Sequence, residues 1–223
     1  MKVVVDQILA RPKASVELLL GGIARGEIPG LHVGSTGAEL TVAESTAVIQ
    51  YILEIMRASP QIGFLGVQLG TTQSNLYAAE RSGTEGKPDA PFKDSVPCSC
   101  VKNGVAVRGR AIYAINTSGP LLSPETFVGQ DCGYSPGGWE SGTVPRPWYN
   151  TTVAHNTAGW GTGIYQAFMA TSTGAIKLIP SLAWMGILRN AAGQNIGVVI
   201  ADCYIDSVSK YLREVCLALT PHC

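Results

Sequence analysis

The chain has 223 residues, of which 46% are hydrophobic, enough for one sizeable core or for one core with a helical appendage. Its 16 basic and 16 acidic residues cancel, so its charge gives no reason to expect nucleic acid or an anionic membrane as a partner. No apolar run reaches the ~18 residues that span a bilayer, so no membrane segment is predicted within the chain.

Helical patterns dominate the first sixty residues. Apolar side chains recur at helical spacing over residues 16–23, and Pro12 either begins this helix or kinks a longer one. A second helix is predicted over residues 41–57, with one apolar stripe and a stop at Ser59-Pro60.

After the first sixty residues, the sequence pattern changes from that of helices to that of β-strands. Strands are predicted over residues 64–69 and 76–80, followed by a loop over 82–97 that is rich in glycine, proline and charge. Asn103-Gly104 between apolar flanks indicates a hairpin turn. Residues 118–147 hold many prolines and glycines and are predicted to form a long irregular excursion.

The last third of the chain gives the clearest pattern. Strands are predicted over residues 164–171, 176–188 and 196–201, the last of them continuously apolar like a buried central strand. Asp206 then begins an amphipathic closing helix. Helices followed by an antiparallel meander and a final helix define an α+β fold.

Cysteine usage favours an oxidising compartment. Six cysteines are many for a cytosolic domain of this size, and sequons at Asn116 and Asn150 point the same way. Cys203 lies in an apolar pattern, where a buried free thiol and a disulfide are equally compatible with the sequence.

Searches for catalytic motifs give no positive result. The sequence contains no nucleophile elbow, phosphate-binding loop or dinucleotide fingerprint. Its three histidines are not paired at helical spacing and there is no Cys-x-x-Cys, so neither a metal nor a cofactor is predicted. We therefore expect a protein that is not an enzyme.

The segment Arg146-Pro147-Trp148-Tyr149 has an unusual composition for a loop. An arginine fork beside an indole N–H can hold a carboxylate, and the aromatic faces can receive an ammonium group. The alternative is a helix that begins at Pro147, with aromatic rings that only pack.

Asp202 is the second candidate for ligand binding. Strand alternation places Val198, Ile200 and Asp202 on one face, and a carboxylate after five apolar residues is costly to bury without a partner. It either caps the turn that follows or faces a cavity and accepts hydrogen bonds from a ligand amine.

Arg146-Pro147-Trp148-Tyr149, then Trp160 and Tyr165, then the strand pair ending at Asp202 and an amphipathic helix, resemble the membrane-distal half of a double Cache domain. The resemblance covers nearly all the chain, and its specific motifs lie between residues 146 and 212. It implies long N-terminal helices packed on a PAS-like central antiparallel β-sheet, with a closing C-terminal helix. The implied organisation has a helical segment at 1–60, a sensor domain at 61–205 with a loop-rich insert at 118–145, and a C-terminal helix at 206–223.

The resemblance also implies a function. Such domains are extracellular or periplasmic sensors of transmembrane signalling receptors that bind a small molecule, here an amino acid or a related carboxylate or amine. In the amino-acid-binding group, Arg146 and Trp148 would hold the ligand carboxylate, while Tyr149, Tyr165 and Asp202 would receive its ammonium. The implied partners are a small-molecule ligand, a membrane-anchored parent protein and a second copy of the chain through the N-terminal helix.

Two other functions compete with this one. The first is a Cache-fold protein-interaction module without a ligand, favoured by Ser141, which stands where the amino-acid-binding group usually has an aromatic residue. The second is a secreted hydrolase that uses Asp202 or His155, for which no further catalytic residues are found.

Overall fold

The computed structural model describes residues 2–31, 40–70, 76–81, 92–102, 104–115, 121–122, 127–131, 147–161, 165–170 and 176–205, with Ser209 and Arg213 beyond them. The helices are α1 (Lys2–Ala24), α2 (Val42–Ala58) and α3 (Pro147–His155). The strands are β1 (Ile62–Leu69), β2 (Leu76–Arg81), β3 (Phe92–Lys102), β4 (Val105–Ile115), β5 (Phe127–Asp131), β6 (Gly159–Trp160), β7 (Tyr165–Ala170), β8 (Ile176–Arg189) and β9 (Asn195–Tyr204).

These strands form one antiparallel sheet in the order β5-β4-β3-β2-β1-β9-β8-β6, and β7 also pairs with β8. The first and last strands of the chain, β1 and β9, are neighbours at its centre. The predicted α+β class is therefore confirmed, with N-terminal helices packed on an antiparallel sheet.

The two N-terminal helices begin and end for identifiable reasons. Pro12 lies inside α1, so the longer of the two predicted helices is the one observed. Thr41 caps α2 through a capping box, in which its hydroxyl accepts from the Glu44 N–H at 3.3 Å and its own N–H donates to the Glu44 carboxylate at 2.7 Å. The cap therefore defines where α2 begins.

We call the side of the sheet covered by α1 and α2 the helix face. On β1 it carries Leu65, Val67 and Leu69, all fully buried. Strand alternation sends Phe64, Gly66 and Gln68 to the opposite side, which we call the α3 face because α3 packs there.

Close packing between α1 and the sheet depends on a glycine. A Cβ added at Gly186 in β8 would lie 2.6 Å from Val16 Cγ1 and 2.8 Å from Leu20 Cδ1. Because those distances are shorter than any ordinary carbon contact, only glycine lets α1 approach the strand this closely.

A buried arginine joins α2 to the sheet. Arg81, 4% exposed at the end of β2, donates from Nε to the Ile62 carbonyl at 2.9 Å and from Nη2 to the Met56 carbonyl. The first acceptor begins β1 and the second lies in the last turn of α2, where a positive charge also complements the helix dipole.

Some predicted boundaries were wrong and others lie outside the described residues. The predicted loop over 82–97 gives way at Phe92 to β3, and the 118–145 insert contains β5. The Asn103-Gly104 hairpin is confirmed, since Lys102 pairs with Val105. The predicted closing helix over 206–223 lies almost wholly outside the described residues. Ser209 and Arg213 are described within this range, and both are helical.

Candidate functional site

The candidate site is the α3 face around the aromatic start of α3. Tyr149 is 4% exposed and belongs to a small apolar cluster with Ala183, Met185, Val198 and Ile200, against which Phe64, Trp148 and Val153 also pack. Burial raises the pKa of the Tyr149 phenol. The Trp148 and Tyr149 rings meet edge to face, with centroids 6.0 Å apart.

Within the Arg-Pro-Trp-Tyr segment, the described residues 147–149 are helical, as in the alternative interpretation of the sequence. Pro147 is the first residue of α3, where its missing N–H has no intrahelical partner in any case. One turn later, the Thr152 hydroxyl donates to the Trp148 carbonyl at 2.7 Å and lies 3.1 Å from Met185 Sδ. The helix therefore presents its aromatic residues to β8 and β9, and a helical backbone does not remove them from the site.

Asp202 lies on the same face as this cluster. It is 4% exposed and stands in register with Phe64 on β1, which packs against the cluster, and with Ala183 on β8, which belongs to it. The predicted alternation of Val198, Ile200 and Asp202 is confirmed, because the first two also pack against Tyr149. A buried carboxylate thus borders an aromatic and apolar surface.

The negative charge of Asp202 contributes to raised pKa values at the two residues that follow it, Cys203 and Tyr204. Burial, and after it the Asp202 carboxylate, raises the pKa of the Cys203 thiol to about 12. Cys203 is a free, fully buried thiol whose Sγ donates to the Gln61 carbonyl at 3.5 Å. The buried-thiol interpretation of this cysteine is therefore the one that the structure supports.

Tyr204 ends the same row of the α3 face. Its hydroxyl donates to the Gly63 carbonyl at 3.2 Å, and its ring occupies the space that any side chain at Gly63 would need. Its pKa lies well above the usual value because of burial first, and then because of Glu80 and Asp202, with Arg81 acting in the opposite direction. Carboxylates therefore give this end of the face negative character.

Gln68 is a polar residue of the α3 face that the sequence analysis missed. It stands in register with Leu76 and Val198, is fully buried, and has no hydrogen-bond partner for Oε1 or Nε2 among the described residues. The available signal was a glutamine inside an otherwise apolar strand, which is costly to bury without a partner.

Of the five predicted ligand-binding residues, the structure brings together Trp148, Tyr149 and Asp202 on the α3 face. The backbone of Tyr165 lies in β7 opposite Ser181, while its side chain is outside the described part. Arg146 lies outside the described residues, immediately before α3.

Comparisons with known proteins give no family. The sequence matches no protein-family model and no curated protein. Among solved structures it is similar to a methyl-accepting chemotaxis protein X. The TM-score of that match is 0.35 at 11% identity, and it covers 94% of this chain. The chain spans 65% of the length of that protein.

Two further observations concern metals and membranes. Within the described ranges, no group of three or more histidine, cysteine, aspartate or glutamate side chains is placed to hold a metal ion. Among the helices described, none is long and apolar enough to cross a bilayer.

Proposed function

We propose that this chain is the extracytoplasmic sensor domain of a membrane receptor, of the Cache type. In this proposal it binds a small amine, such as an amino acid, on the α3 face and has no catalytic activity. The ligand changes the packing of the sheet, and the parent receptor carries the signal across the membrane.

The observation that carries the proposal is the burial of Asp202 beside an aromatic cluster. A carboxylate is a strong acceptor of charge-assisted hydrogen bonds, so a ligand ammonium is a group that suits Asp202 in the bound state. The rings of Trp148 and Tyr149 supply apolar walls and electron-rich faces that also suit an ammonium group.

The buried polar residues of the α3 face support the same conclusion. The helix face is filled mostly by apolar side chains of α1 and α2, among which the buried Arg81 donates to backbone carbonyls. The α3 face carries the buried polar residues Gln68, Ser181 and Asp202 along its strands. A few polar groups among apolar and aromatic side chains are typical of ligand sites.

The proposed roles follow the resemblance. Asp202, Tyr149 and Tyr165 receive the ligand ammonium, and Arg146 and Trp148 hold a carboxylate when the ligand has one. Arg146 directly precedes Pro147 in sequence, and the N-terminal end of the helix that begins at Pro147 also favours an anionic group.

The test is a thermal-shift screen of the purified chain against amino acids, amines, carboxylates and purines. A ligand at 100 times its Kd adds about 2.7 kcal/mol to the free energy of unfolding, which raises the Tm by roughly 5–11 °C for a chain of this size.

Asp202→Asn keeps the shape of the side chain and removes its charge, so we expect it to abolish the shift given by amines. Asp6→Asn, at an exposed position of α1, is the matched control and should keep the full shift. Each variant is compared with its own ligand-free Tm. If no amine stabilises the wild-type chain, the proposal is wrong, and a protein-interaction module without a ligand becomes the better hypothesis.

A further inference from the structure

α3 is a short helix whose position depends on its contacts with the sheet. It has 9 residues, and isolated helices shorter than about 12–15 residues are marginal in water. Its buried side packs against the apolar cluster around Tyr149. Apolar contact is non-directional, so it does not by itself determine where a helix lies along a strand. A directional contact between α3 and the sheet is therefore needed to fix its position.

Arg189, the last residue of β8, makes such a contact at the carboxyl end of α3. Its Nη2 donates to Asn156 Oδ1 at 2.7 Å and to the Asn156 carbonyl at 3.1 Å. Asn156 directly follows α3 and has a positive φ of 54°, a conformation that asparagine adopts more easily than most other residues. The guanidinium also complements the negative end of the helix dipole. Charge-assisted hydrogen bonds thus hold the end of α3 on the sheet.

The turn between β8 and β9 holds the same guanidinium from its other side. Nη1 donates to Asn195 Oδ1 at 2.8 Å and to the Gly193 carbonyl at 3.1 Å. Hydrogen bonds within the turn order it in its own right, since Asn190 Oδ1 accepts from the Ala192 N–H at 3.0 Å and from the Gln194 N–H at 2.9 Å. Because the guanidinium is planar and both terminal nitrogens are engaged, the turn orients the fork towards α3.

We propose that Arg189 is a positioning residue of the α3 face, which holds the end of α3 and thereby sets where Trp148 and Tyr149 lie. Its effect on a ligand rests on the proposed function, whereas its effect on the position of α3 does not. Four residues earlier on β8, Met185 Sδ lies 3.1 Å from the Thr152 hydroxyl. Two attachments to one strand fix the direction of α3 as well as its place, so both aromatic rings are held against the sheet before any ligand binds.

The first experiment follows Trp148 by near-UV circular dichroism, because its ring meets that of Tyr149 edge to face. The difference between the wild-type spectrum and that of Trp148→Phe separates this signal from the other tryptophans. In an Arg189→Met background the same difference should be largely lost, since the ring no longer has one fixed position. Arg189→Lys should not restore it, because an ammonium lacks the planar fork. Arg57→Met, at an exposed position of α2, is the matched control and should keep the full difference.

The second experiment measures the Kd of an amine found in the thermal-shift screen. Arg189→Met should raise this Kd roughly tenfold, because the aromatic walls of the site are no longer held in place. In a Trp148→Ala chain the same substitution should raise the Kd clearly less, since a residue that acts through this ring loses its effect when the ring is gone. A purely structural role would lower the Tm and leave the Kd unchanged. Asn156→Gly keeps the left-handed backbone and loses only the side-chain acceptor, so it should show both effects more weakly.

The outcomes separate this inference from the proposed function. A Trp148 signal that survives both Arg189→Met and Asn156→Gly overturns the positioning role, whatever the chain binds. A lost signal with an unchanged Kd for amines overturns the part of Arg189 in the ligand site, while the proposed function stands. If the wild-type chain binds no amine, the proposed function is wrong, and the Trp148 signal still decides whether Arg189 sets the position of α3.

Discussion

Arg81→Met tests the attachment of α2 to the sheet. The guanidinium donates to the Ile62 and Met56 carbonyls from a position that is 4% exposed. A hydrogen bond from a charged donor contributes about 1.5–3 kcal/mol. The Met56 carbonyl keeps a second donor, the Ser59 N–H at 3.1 Å. The loss of the hydrogen bond from Arg81 to this carbonyl therefore costs an amount at the low end of that range. We therefore expect the free energy of unfolding to fall by about 3 kcal/mol.

The assay is thermal unfolding followed by circular dichroism. A loss of about 3 kcal/mol corresponds to a decrease in Tm of roughly 6–12 °C for a chain of this size. Arg57→Met, at an exposed position in the last turn of the same helix, should change the stability by less than about 0.5 kcal/mol. Arg81→Lys keeps the charge without the fork and should fall between the two. A decrease below roughly 3 °C for Arg81→Met would refute the proposed attachment, because it corresponds to about 1 kcal/mol.

Three further predictions follow from the described contacts. Gly186→Val should lower the free energy of unfolding by about 1–3 kcal/mol through overpacking against α1, while Gly159→Ala, with nothing within 4 Å of the added carbon, should leave the Tm unchanged in the same calorimetric scan. Thr41→Ala removes the cap of α2 and should cost about 0.5–2 kcal/mol in urea unfolding; a cost equal to that of exposed Glu54→Ala would contradict the cap. The Cys203 thiol, with a pKa of about 12, contributes stability that is full below its ordinary value of 9.0 and is lost as the pH rises towards 12. It should resist alkylation at pH 8 until urea is added, and peptide mass mapping that finds it modified in the native chain would overturn this.

β9 and the β3–β4 hairpin could be predicted because the sequence patterns that specify them lie within a few consecutive residues. The apolar run of β9 and its alternation placed Asp202 on the same face as Val198 and Ile200 without any tertiary information. The Asn103-Gly104 turn fixed the β3–β4 hairpin in the same way, because Gly104 adopts a positive φ of 79° that a primed turn requires.

The elements that were missed depend on contacts distant in sequence. β3 includes Pro97, which argues against a central strand, but β2 pairs with β3 only at residues 92–95. Beyond that point β4 is the one neighbour of β3 among the described residues, and a position without a second partner strand tolerates a residue that lacks an N–H. For Gln68 the sequence offered only its place inside an apolar strand, because a strand pattern gives the face of a residue and not what covers that face.

The arrangement of β8 suggests how a ligand on the α3 face would affect α1. Consecutive residues of one strand point to opposite faces, so Met185 lies 3.1 Å from the Thr152 hydroxyl of α3 while Gly186 lies under α1. Because Gly186 has no spare volume above it, we expect a displacement of β8 to move Val16 and Leu20 as well. Coupling between two sites is reciprocal, so Gly186→Val, which disturbs α1 without touching the α3 face, should itself change the ligand Kd. An unchanged Kd in that variant would mean that the two faces of the sheet act independently.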